Sequence, residues 1–214
     1  MSGNLESALE IFKRARAYVE SSDSRREVEW QRTRRVAQFT ETDLLREAAW
    51  VILCSGFREA IVRRRFDYIS LSFCDWETAG SIVKSAGACR ASALASLGNA
   101  KKMDAIVGVA ERIYRVGFVR LKQRILSEPI NELRKFPFIG PVTSWHLAKN
   151  LGFEVAKPDR HLVRLCRSLG FCDVQELCRS IAQTVGEAVH VVDLVLWRYA
   201  VDGFRSPPYG VAPT

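Results

Sequence analysis

The sequence predicts an all-α fold. Apolar residues recur at the three- and four-residue spacing of a helix through almost every segment of the chain. Side chains that favour helix N-caps stand before many of these segments, and Gly or Pro residues separate them. The only strand-like rival is the short run at 68–73, and the sequence has no internal repeat. These observations favour packed helices over a sheet or a sandwich.

Five helices are predicted in the N-terminal part of the chain. The first carries Leu5, Leu9 and Phe12 on one face. The second is charged and is expected to end near Phe39. Two kinds of residue mark the other helix boundaries. At a helix start, a polar side chain can accept a hydrogen bond from a free helical N–H, and at a helix end, a glycine stops the helix. These boundary signals are a capping-box pattern at 24–27, Thr42, Gly56 and Asp75.

The C-terminal part predicts further helices with the same kinds of boundary. In the longest of them, Met103, Ile106 and Ile113 keep the helical period. The last helix covers 187–201 and is followed by a Pro-rich tail. The predicted starts of the other helices include Asn99, Pro129 and Asp173.

The composition favours a globular protein with a polyanionic partner. The 214 residues suit one domain or two small lobes, and 48% hydrophobic with 26% charged residues is ordinary for a protein with a core. The 32 Lys and Arg residues exceed the 24 Asp and Glu residues, which gives a net charge of +8. Such a surplus favours nucleic acid or anionic lipid as the partner, although solubility alone also explains it.

The sequence shows no signal for export or membrane insertion. Residues 1–20 are amphipathic and charged, unlike a secretory leader. No uninterrupted apolar run approaches the roughly 20 residues that a membrane-spanning helix needs. We therefore expect a cytoplasmic protein, or a nuclear one if the source is a eukaryote.

The six cysteines are expected to be buried thiols in a reducing compartment. None stands in a C-x-x-C pair, and most lie on apolar helical stripes. A metal or iron–sulfur site is the alternative for Cys166, Cys172 and Cys178, but their spacing matches no familiar ligand run. No metal site is therefore predicted.

The stretch 136–144 predicts a tight turn between two helices. Residues 137–141 cannot continue a helix, because proline disfavours helix before it and Gly140 can adopt a positive φ. The next helix restarts at Val142 and runs to Leu151, and its first N–H groups form a ready site for phosphate. Helix, turn and helix can together clamp an anion. Taken alone, however, this stretch is explained more simply as a plain αα-corner.

The turn resembles the hairpin of the helix-hairpin-helix, Gly-Pro-Asp superfamily of DNA glycosylases, of which endonuclease III is the familiar member. The family hairpin reads L-P-G-V-G-x-x-T-A, and it is followed by a helix, a short loop and an essential Asp that begins the next helix. This sequence reads FPFIGPVTS at 136–144 and KPDRHLVRL at 157–165. Asp159 takes the place of the essential Asp, and His161 and Leu162 follow in the family register.

Two upstream segments also resemble the family. The segment 97–113 is similar to the helix that precedes the hairpin. The segment 45–65 is similar to the helix-loop-helix that carries the DNA-wedging loop. The resemblance thus spans about residues 42–200 by pattern, with its sharpest motifs in the hairpin and around the aspartate.

The resemblance implies a two-lobed helical fold with a DNA-binding groove between the lobes. One lobe is expected at 40–152, as a helical barrel that ends in the helix-hairpin-helix. The other is expected to combine 1–39 with 153–214 and to bring Asp159 to the interface.

The sequence departs from the family pattern at three points. Phe138 stands where the family has its first hairpin glycine. Val142 stands where bifunctional members carry the lysine that forms a Schiff base with the sugar, and valine cannot do so. Lys149 and Lys157 are near in sequence but off register. The four-cysteine cluster of endonuclease III is missing, so the resemblance implies no iron–sulfur cofactor, and an alkali-metal ion at the hairpin only when DNA is bound.

Asp159 is the predicted catalytic residue. Cleavage of an N-glycosidic bond passes through a transition state that resembles a sugar cation, and a carboxylate stabilises that charge and orients the attacking water. One carboxylate and a water suffice for a monofunctional hydrolase. Asp159 is also expected to cap its helix, and without the hairpin the cap would be the preferred interpretation.

A base inside a duplex must be flipped out before it can be cleaved, and the enzyme must fill the gap. The predicted wedge and base-pocket residues are Phe57, Arg58, Trp50, Trp145 and His146. Phe57 is equally typical of a core and Arg58 of a solvated surface. Trp50 and Trp145 are more typical of a core, and His146 and His161 are more typical of packing or hydrogen bonding than of a catalytic base. The predicted phosphate-binding residues are Gly140, Val142, Thr143, Arg63, Arg64, Arg160 and Arg164. The further basic run Arg32, Arg34 and Arg35 is more typical of a solvated face than of a phosphate site.

The sequence therefore predicts a monofunctional DNA glycosylase that acts on double-stranded DNA. The protein is expected to be a monomer and to have no membrane as a partner. It would flip out and hydrolyse a damaged, mismatched or modified base and leave an abasic site, in base excision repair or in defence against modified DNA. The alternatives are a non-catalytic DNA-binding protein of the same fold, a bifunctional glycosylase/lyase that uses an off-register lysine, and a basic protein of a membrane surface.

Overall fold

The computed structural model describes residues 4–202, and this part of the chain contains thirteen α-helices and no strand. The predicted all-α class is confirmed. The helices form two compact units. The predicted Pro-rich tail lies outside the described residues.

The central unit is Arg35–Leu151, a continuous stretch of chain. The terminal unit consists of the residues before and after that stretch. The helices of the central unit are α3 (Glu41–Cys54), α4 (Glu59–Ser72), α5 (Ala79–Lys84), α6 (Ala86–Ser96), α7 (Ala100–Val116), α8 (Phe118–Ser127), α9 (Pro129–Leu133) and α10 (Thr143–Asn150). Those of the terminal unit are α1 (Leu5–Glu20), α2 (Arg25–Thr33), α11 (Arg160–Ser168), α12 (Val174–Val185) and α13 (Val189–Asp202).

The first boundary between the units lies at 34/35, whereas the sequence prediction placed it at 39/40. Side-chain contacts explain this difference. The ring of Phe39 is buried and lies 6.1 Å from that of Phe118 at the start of α8. Lys122 of α8 donates to the carbonyl oxygens of Ala37 and Phe39, at 2.9 and 2.7 Å. Residues 35–39 are therefore anchored on the central unit.

Several predicted helix starts are confirmed by side-chain caps. The side chains of Asn99, Asp159 and Asp173 each accept a hydrogen bond from an N–H in the first turn of α7, α11 and α12 respectively. The prediction for α3 was wrong by two residues. Thr40, not Thr42, caps this helix in a capping box with Asp43.

Two further boundary predictions were wrong. The charged second helix ends at Thr33 rather than near Phe39. Asp75 does not cap α5, because Thr78 accepts the first-turn hydrogen bond from Ser81. The strand-like run at 68–73 is the helical end of α4, except for its last residue.

Asp75 instead lies in a left-handed turn, Cys74–Trp76, whose three φ angles are 55°, 48° and 62°. L-residues adopt this conformation at a steric cost. Packing offsets the cost here, since the buried Trp76 ring stacks on Phe73 at 5.3 Å and its Nε1 donates to Ser70 Oγ at 2.8 Å. The turn thus delivers a large aromatic ring into the core of the central unit.

The long helix α7 is central to this core. Met103, Ile106 and Ile113 are buried along one face, as their spacing predicted. Gly108 lies on the same helix, and a Cβ there would come within 3.1 Å of the Pro137 ring. The glycine therefore allows the hairpin to approach α7 closely.

The terminal unit has its own apolar core. Phe12 and Ala15 of α1 are buried in it, whereas Leu5 at the start of the predicted apolar face is 37% exposed. Arg198 of α13 donates to Glu27 of α2 at 2.8 Å and fixes these two helices to each other. Among the described residues, no helix is long and apolar enough to cross a membrane.

Candidate active site

Asp159 is the N-cap of α11, and its carboxylate is held by one oxygen. Oδ1 accepts hydrogen bonds from the N–H groups of His161 and Leu162, at 2.8 and 3.1 Å. Oδ2 has no hydrogen-bond partner among the described residues. The side chain is half-buried. Asp159 thus presents an oriented carboxylate with one oxygen left to interact with a bound molecule.

The loop before Asp159 is fixed by two helices. The Lys157 N–H donates to the buried Asp193 carboxylate of α13 at 2.6 Å. The Ala156 N–H donates to Gln175 Oε1 of α12 at 2.9 Å. The Asp159 N–H donates to the Lys157 carbonyl at 2.8 Å. These bonds give the aspartate a defined position within the terminal unit.

Two neighbouring side chains of the aspartate also have defined positions. The Lys157 ammonium lies 5.9 Å from the centre of the Trp197 ring. Arg160 Nε donates to His161 Nε2 at 3.2 Å, so this imidazole nitrogen acts as an acceptor. Arg160 and Arg164 are exposed, as a role in contacting phosphate requires.

The hairpin residues 134–142 join α9 to α10. The Gly140 N–H, a predicted phosphate donor, is already paired with Thr143 Oγ1 at 2.6 Å. The N–H groups of Val142 and Thr143 have no acceptor among the described residues. These two groups are therefore the donors that the start of α10 offers to an anion.

The positive φ of the hairpin lies at Phe138, at 62°, and not at Gly140, where the sequence allowed it. Phe138 therefore keeps the left-handed backbone that glycine adopts most easily. Its side chain is 47% exposed, and that of Val142 is 42% exposed. Lys149 of α10 is 5% exposed, in contrast.

The hairpin and the loop between α3 and α4 meet at Lys102 of α7. The Lys102 ammonium lies 5.5 Å from the centres of both the Phe57 and the Phe138 rings. It donates to the carbonyl oxygens of Ile52 and Ser55, the latter at 2.6 Å. Burial lowers the pKa of Lys102 from its ordinary value. The structure thus brings the predicted wedge residue Phe57 beside the predicted phosphate clamp.

Lys102 is not among the site residues predicted from the sequence. Its signal was present, because Lys102 lies on the same helical stripe as the buried residues Ile106 and Ile113. A lysine on an apolar stripe either extends its ammonium to solvent or has acceptors inside the protein. Here it has acceptors, at the C-terminal end of α3.

Other predicted pocket residues lie in different surroundings. Trp50 packs edge-on against Phe66 at 5.1 Å, and the Arg63 guanidinium lies 5.2 Å from the centre of its indole ring. Arg63 also pairs with Glu59. These contacts match the core interpretation of Trp50.

The remaining candidates in the central unit are at least partly accessible. Arg58 and Arg64 are exposed at the start of α4, and Arg64 Nε donates to the Ala60 carbonyl at 3.2 Å. Trp145 and His146 are half-buried on α10, immediately after the hairpin. The roles predicted for these four residues stay predictions.

No group of three or more His, Cys, Asp or Glu side chains in the described part of the chain could hold a metal ion. Cys166 and Cys178 are buried, whereas Cys172 is exposed. Cys166 Sγ contacts the Phe171 carbonyl oxygen at 3.3 Å.

No protein-family model matches the sequence, and no curated protein sequence does so either. Solved structures are similar to it. The 8-oxoguanine DNA glycosylase of Thermotoga maritima superposes with a TM-score of 0.62 at 22% identity, over 93% of this chain and 98% of its own. The 8-oxoguanine glycosylase/lyase of Methanocaldococcus jannaschii, solved with a 15mer DNA containing 8-oxoguanine, gives 0.57 at 18% identity, over 86% and 94% of the two chains.

These likenesses extend over nearly the whole of both known proteins, and they agree with the hairpin and aspartate motifs. The chain therefore has the same all-helical fold as these two 8-oxoguanine DNA glycosylases.

Proposed function

We propose that this protein is a DNA glycosylase that hydrolyses the bond between a base and its sugar, with Asp159 as the catalytic residue. The observation that carries the proposal is the carboxylate of Asp159, which is oriented through Oδ1 while Oδ2 is unengaged. The likeness to two 8-oxoguanine glycosylases supports the same activity.

The chemistry requires a fixed negative charge beside the sugar. As the N-glycosidic bond breaks, its electron pair leaves with the base and positive charge develops on the sugar. A carboxylate oxygen beside the sugar stabilises this charge without having to reorganise. The same oxygen can accept a proton from the water that forms the new bond to C1′. The two N–H groups that hold Oδ1 leave Oδ2 for this work.

DNA would bind through backbone donors and basic side chains. Val142 and Thr143 offer unpaired N–H groups at the N-terminus of α10, where the helix dipole also favours an anion. Arg58 and Arg64 are exposed in the same unit. The net charge of +8 supports a polyanionic partner. The Methanocaldococcus jannaschii protein was solved with DNA, which supports this part of the proposal.

The reaction is proposed to be monofunctional. A lyase needs an amine that attacks the sugar, and Val142 has none. The Lys149 side chain is buried. The Methanocaldococcus jannaschii protein is a glycosylase/lyase, so a second candidate uses Lys157, which lies two residues before Asp159 with its ammonium above Trp197. The reaction product separates the two mechanisms.

The first test is release of the base. The two structures compared above are those of 8-oxoguanine glycosylases, so duplexes that contain 8-oxoguanine are the first substrates to try. Uracil, alkylated purines and modified bases of phage DNA follow in the same screen. Release of a free base supports an enzyme, whereas DNA binding with no release from any duplex would support the non-catalytic alternative.

Asp159→Asn is expected to lower base release by about 10²–10³, because the neutral amide cannot balance the charge on the sugar. Asparagine still caps α11, so the free energy of unfolding should change by at most about 1 kcal/mol. Asp173→Asn is the matched control, since Asp173 caps α12 in the same unit and accepts from the Glu176 N–H at 2.8 Å. Equal activity of the Asp159 and Asp173 variants would contradict the proposed role.

Borohydride trapping tests the absence of a lyase step. The wild-type protein should leave an intact abasic strand, and borohydride should trap no covalent protein–DNA adduct, because no amine is proposed to attack the sugar. An adduct that forms with the wild type and disappears in Lys157→Ala or Lys149→Ala would establish the bifunctional alternative.

A further inference from the structure

Phe138 combines a strained backbone with an exposed aromatic ring. Its φ is 62°, in the left-handed region that an L-residue other than Asn or Asp rarely adopts. Its side chain is 47% exposed. In the left-handed turn Cys74–Trp76, a buried and stacked indole offsets the strain. At Phe138, burial of the side chain offsets much less of the backbone strain, because nearly half of the side chain is exposed.

The conformation itself does not require phenylalanine. Glycine adopts this φ without a steric cost, and asparagine tolerates it. Where packing does not offset the strain of a residue, the strain indicates that its side chain has a role other than stabilising the fold. The strain therefore suggests that the exposed ring at this position has a ligand.

The surroundings of Phe138 show what its ring is placed to contact. Lys102 holds the Phe138 and Phe57 rings at equal distances of 5.5 Å from its ammonium. The ammonium itself is fixed by the carbonyl oxygens of Ile52 and Ser55. Two partly exposed rings therefore contact one buried cation. Phe138 is also only a few residues from Val142 and Thr143, whose N–H groups are unpaired.

Resting on the proposed function, we propose that Phe138 is a DNA-contacting residue that stacks on a base exposed when the duplex is opened. An uncharged ring adds little to a phosphate contact, but it stacks on the face of any base. In an intact duplex these faces are covered by neighbouring base pairs. They become accessible when one nucleotide is flipped out or missing. Phe57 and Phe138 would then form a two-ring platform beside the gap.

The experiment compares Phe138→Gly and Phe138→Asn with the wild-type protein. Each variant is titrated with a duplex that contains one abasic site and with the matched intact duplex. Affinity for the abasic duplex should fall about 10- to 100-fold in both variants, with a much smaller change for the intact duplex. The slope of log affinity against log salt should stay as in the wild type, since no phosphate contact is removed.

The thermal midpoint of both variants should be equal to or higher than that of the wild type, because the left-handed backbone is less strained without the ring. Loss of binding together with preserved stability distinguishes a contact with DNA from a role in folding. Val119→Ala is the control for removing an exposed apolar side chain from the same unit, since Val119 is 71% exposed on α8. The Val119→Ala substitution should change neither the affinity for the abasic duplex nor the affinity for the intact duplex.

Three outcomes would overturn the inference while the proposed function stands: unchanged affinity for the abasic duplex, an equal loss on both duplexes, or a loss accompanied by a lower thermal midpoint. Failure of the wild-type protein to bind either duplex or to release any base would instead overturn the proposed function, and the inference with it.

Discussion

At the scale of single residues, Asp159 and Gly140 perform different tasks that separate variants can distinguish. Asp159 is proposed to act on the sugar, and its N-cap hydrogen bonds leave one oxygen for that purpose. Gly140 belongs to a hairpin proposed to bind phosphate, which carries no information about the base. A change at Gly140 should therefore affect affinity, and a change at Asp159 should affect the chemical step.

Gly140→Ala is expected to weaken DNA binding for all duplexes without changing which base is released. The new Cβ would meet only Thr143 Oγ1, at 3.9 Å, and the φ of Gly140 is not positive, so the fold should tolerate it. The methyl group would stand beside the N–H groups that approach a phosphate. Binding titrations on several duplexes, with a thermal melt as the control, provide the measurement. An altered preference among bases would show that the hairpin is not a simple phosphate clamp.

The backbone of Phe138 and the carbonyl partners of Lys102 are residue-scale features that depend on contacts between distant parts of the sequence. The motif placed the hairpin correctly, but proline and glycine suggested a positive φ at Gly140, whereas the left-handed residue is Phe138. The hairpin also packs Pro137 against Gly108 of a distant helix, a tertiary contact that local propensity does not contain. Lys102 similarly depends on carbonyl groups that only the folded chain brings together.

At the scale of elements, the short helix α9 is fixed to α7 by a buried carboxylate. Glu132 of α9 is 6% exposed and accepts from Arg112 of α7 at 3.2 Å. It also pairs with Lys135, and the Arg112 guanidinium lies 5.8 Å from the centre of the Phe136 ring. This group of contacts stabilises the entry into the hairpin.

Glu132→Gln is expected to lower the free energy of unfolding at pH 7 by roughly 1–3 kcal/mol, because Arg112 would lose its charged partner in a mostly buried place. The hydrogen bond from Lys135 is the main effect that holds the pKa of Glu132 below its ordinary 4.5, with a smaller one from Arg112, against the opposing effect of burial. A carboxyl with a lowered pKa contributes stability above its ordinary pKa and loses it as the pH falls through the folded-state value.

The difference in the free energy of unfolding between the wild type and this variant should therefore be largest near pH 7 and should decrease as the pH falls below about 4.5. Urea denaturation at pH 7 and at acidic pH measures it. If this difference does not depend on pH, the shape of the Glu132 side chain and not its charge explains the loss of stability.

The helix pattern was predictable at this scale wherever local chemistry determined it. Asn99 and Asp173 cap the helices expected of them. Thr42 was wrong because Thr40 lies two residues earlier and can form a reciprocal capping box with Asp43. The turn at Cys74–Trp76 contains no glycine, and its left-handed backbone is stabilised by the aromatic core around Trp76. Such tertiary stabilisation is invisible to local propensity.

At the scale of the whole molecule, DNA affinity should fall steeply as salt is added. Each phosphate contact that releases a counterion contributes about −0.9 to the slope of log affinity against log salt on duplex DNA. The net charge of +8 implies several such contacts. Titration of the wild-type protein at a series of salt concentrations gives the slope. A flat response would argue against nucleic acid as the partner.

The division into units has a consequence for how the protein is made. The central unit is one continuous stretch, so all of it can leave the ribosome and fold while the C-terminal helices are still being synthesised. The terminal unit, by contrast, packs α1 and α2 with helices that lie beyond the whole central unit. Its N-terminal helices must wait for partners that lie beyond the whole central unit in sequence, which makes their association the later step. The proposed DNA clamp would thus be complete on the nascent chain before the unit that carries Asp159 can form.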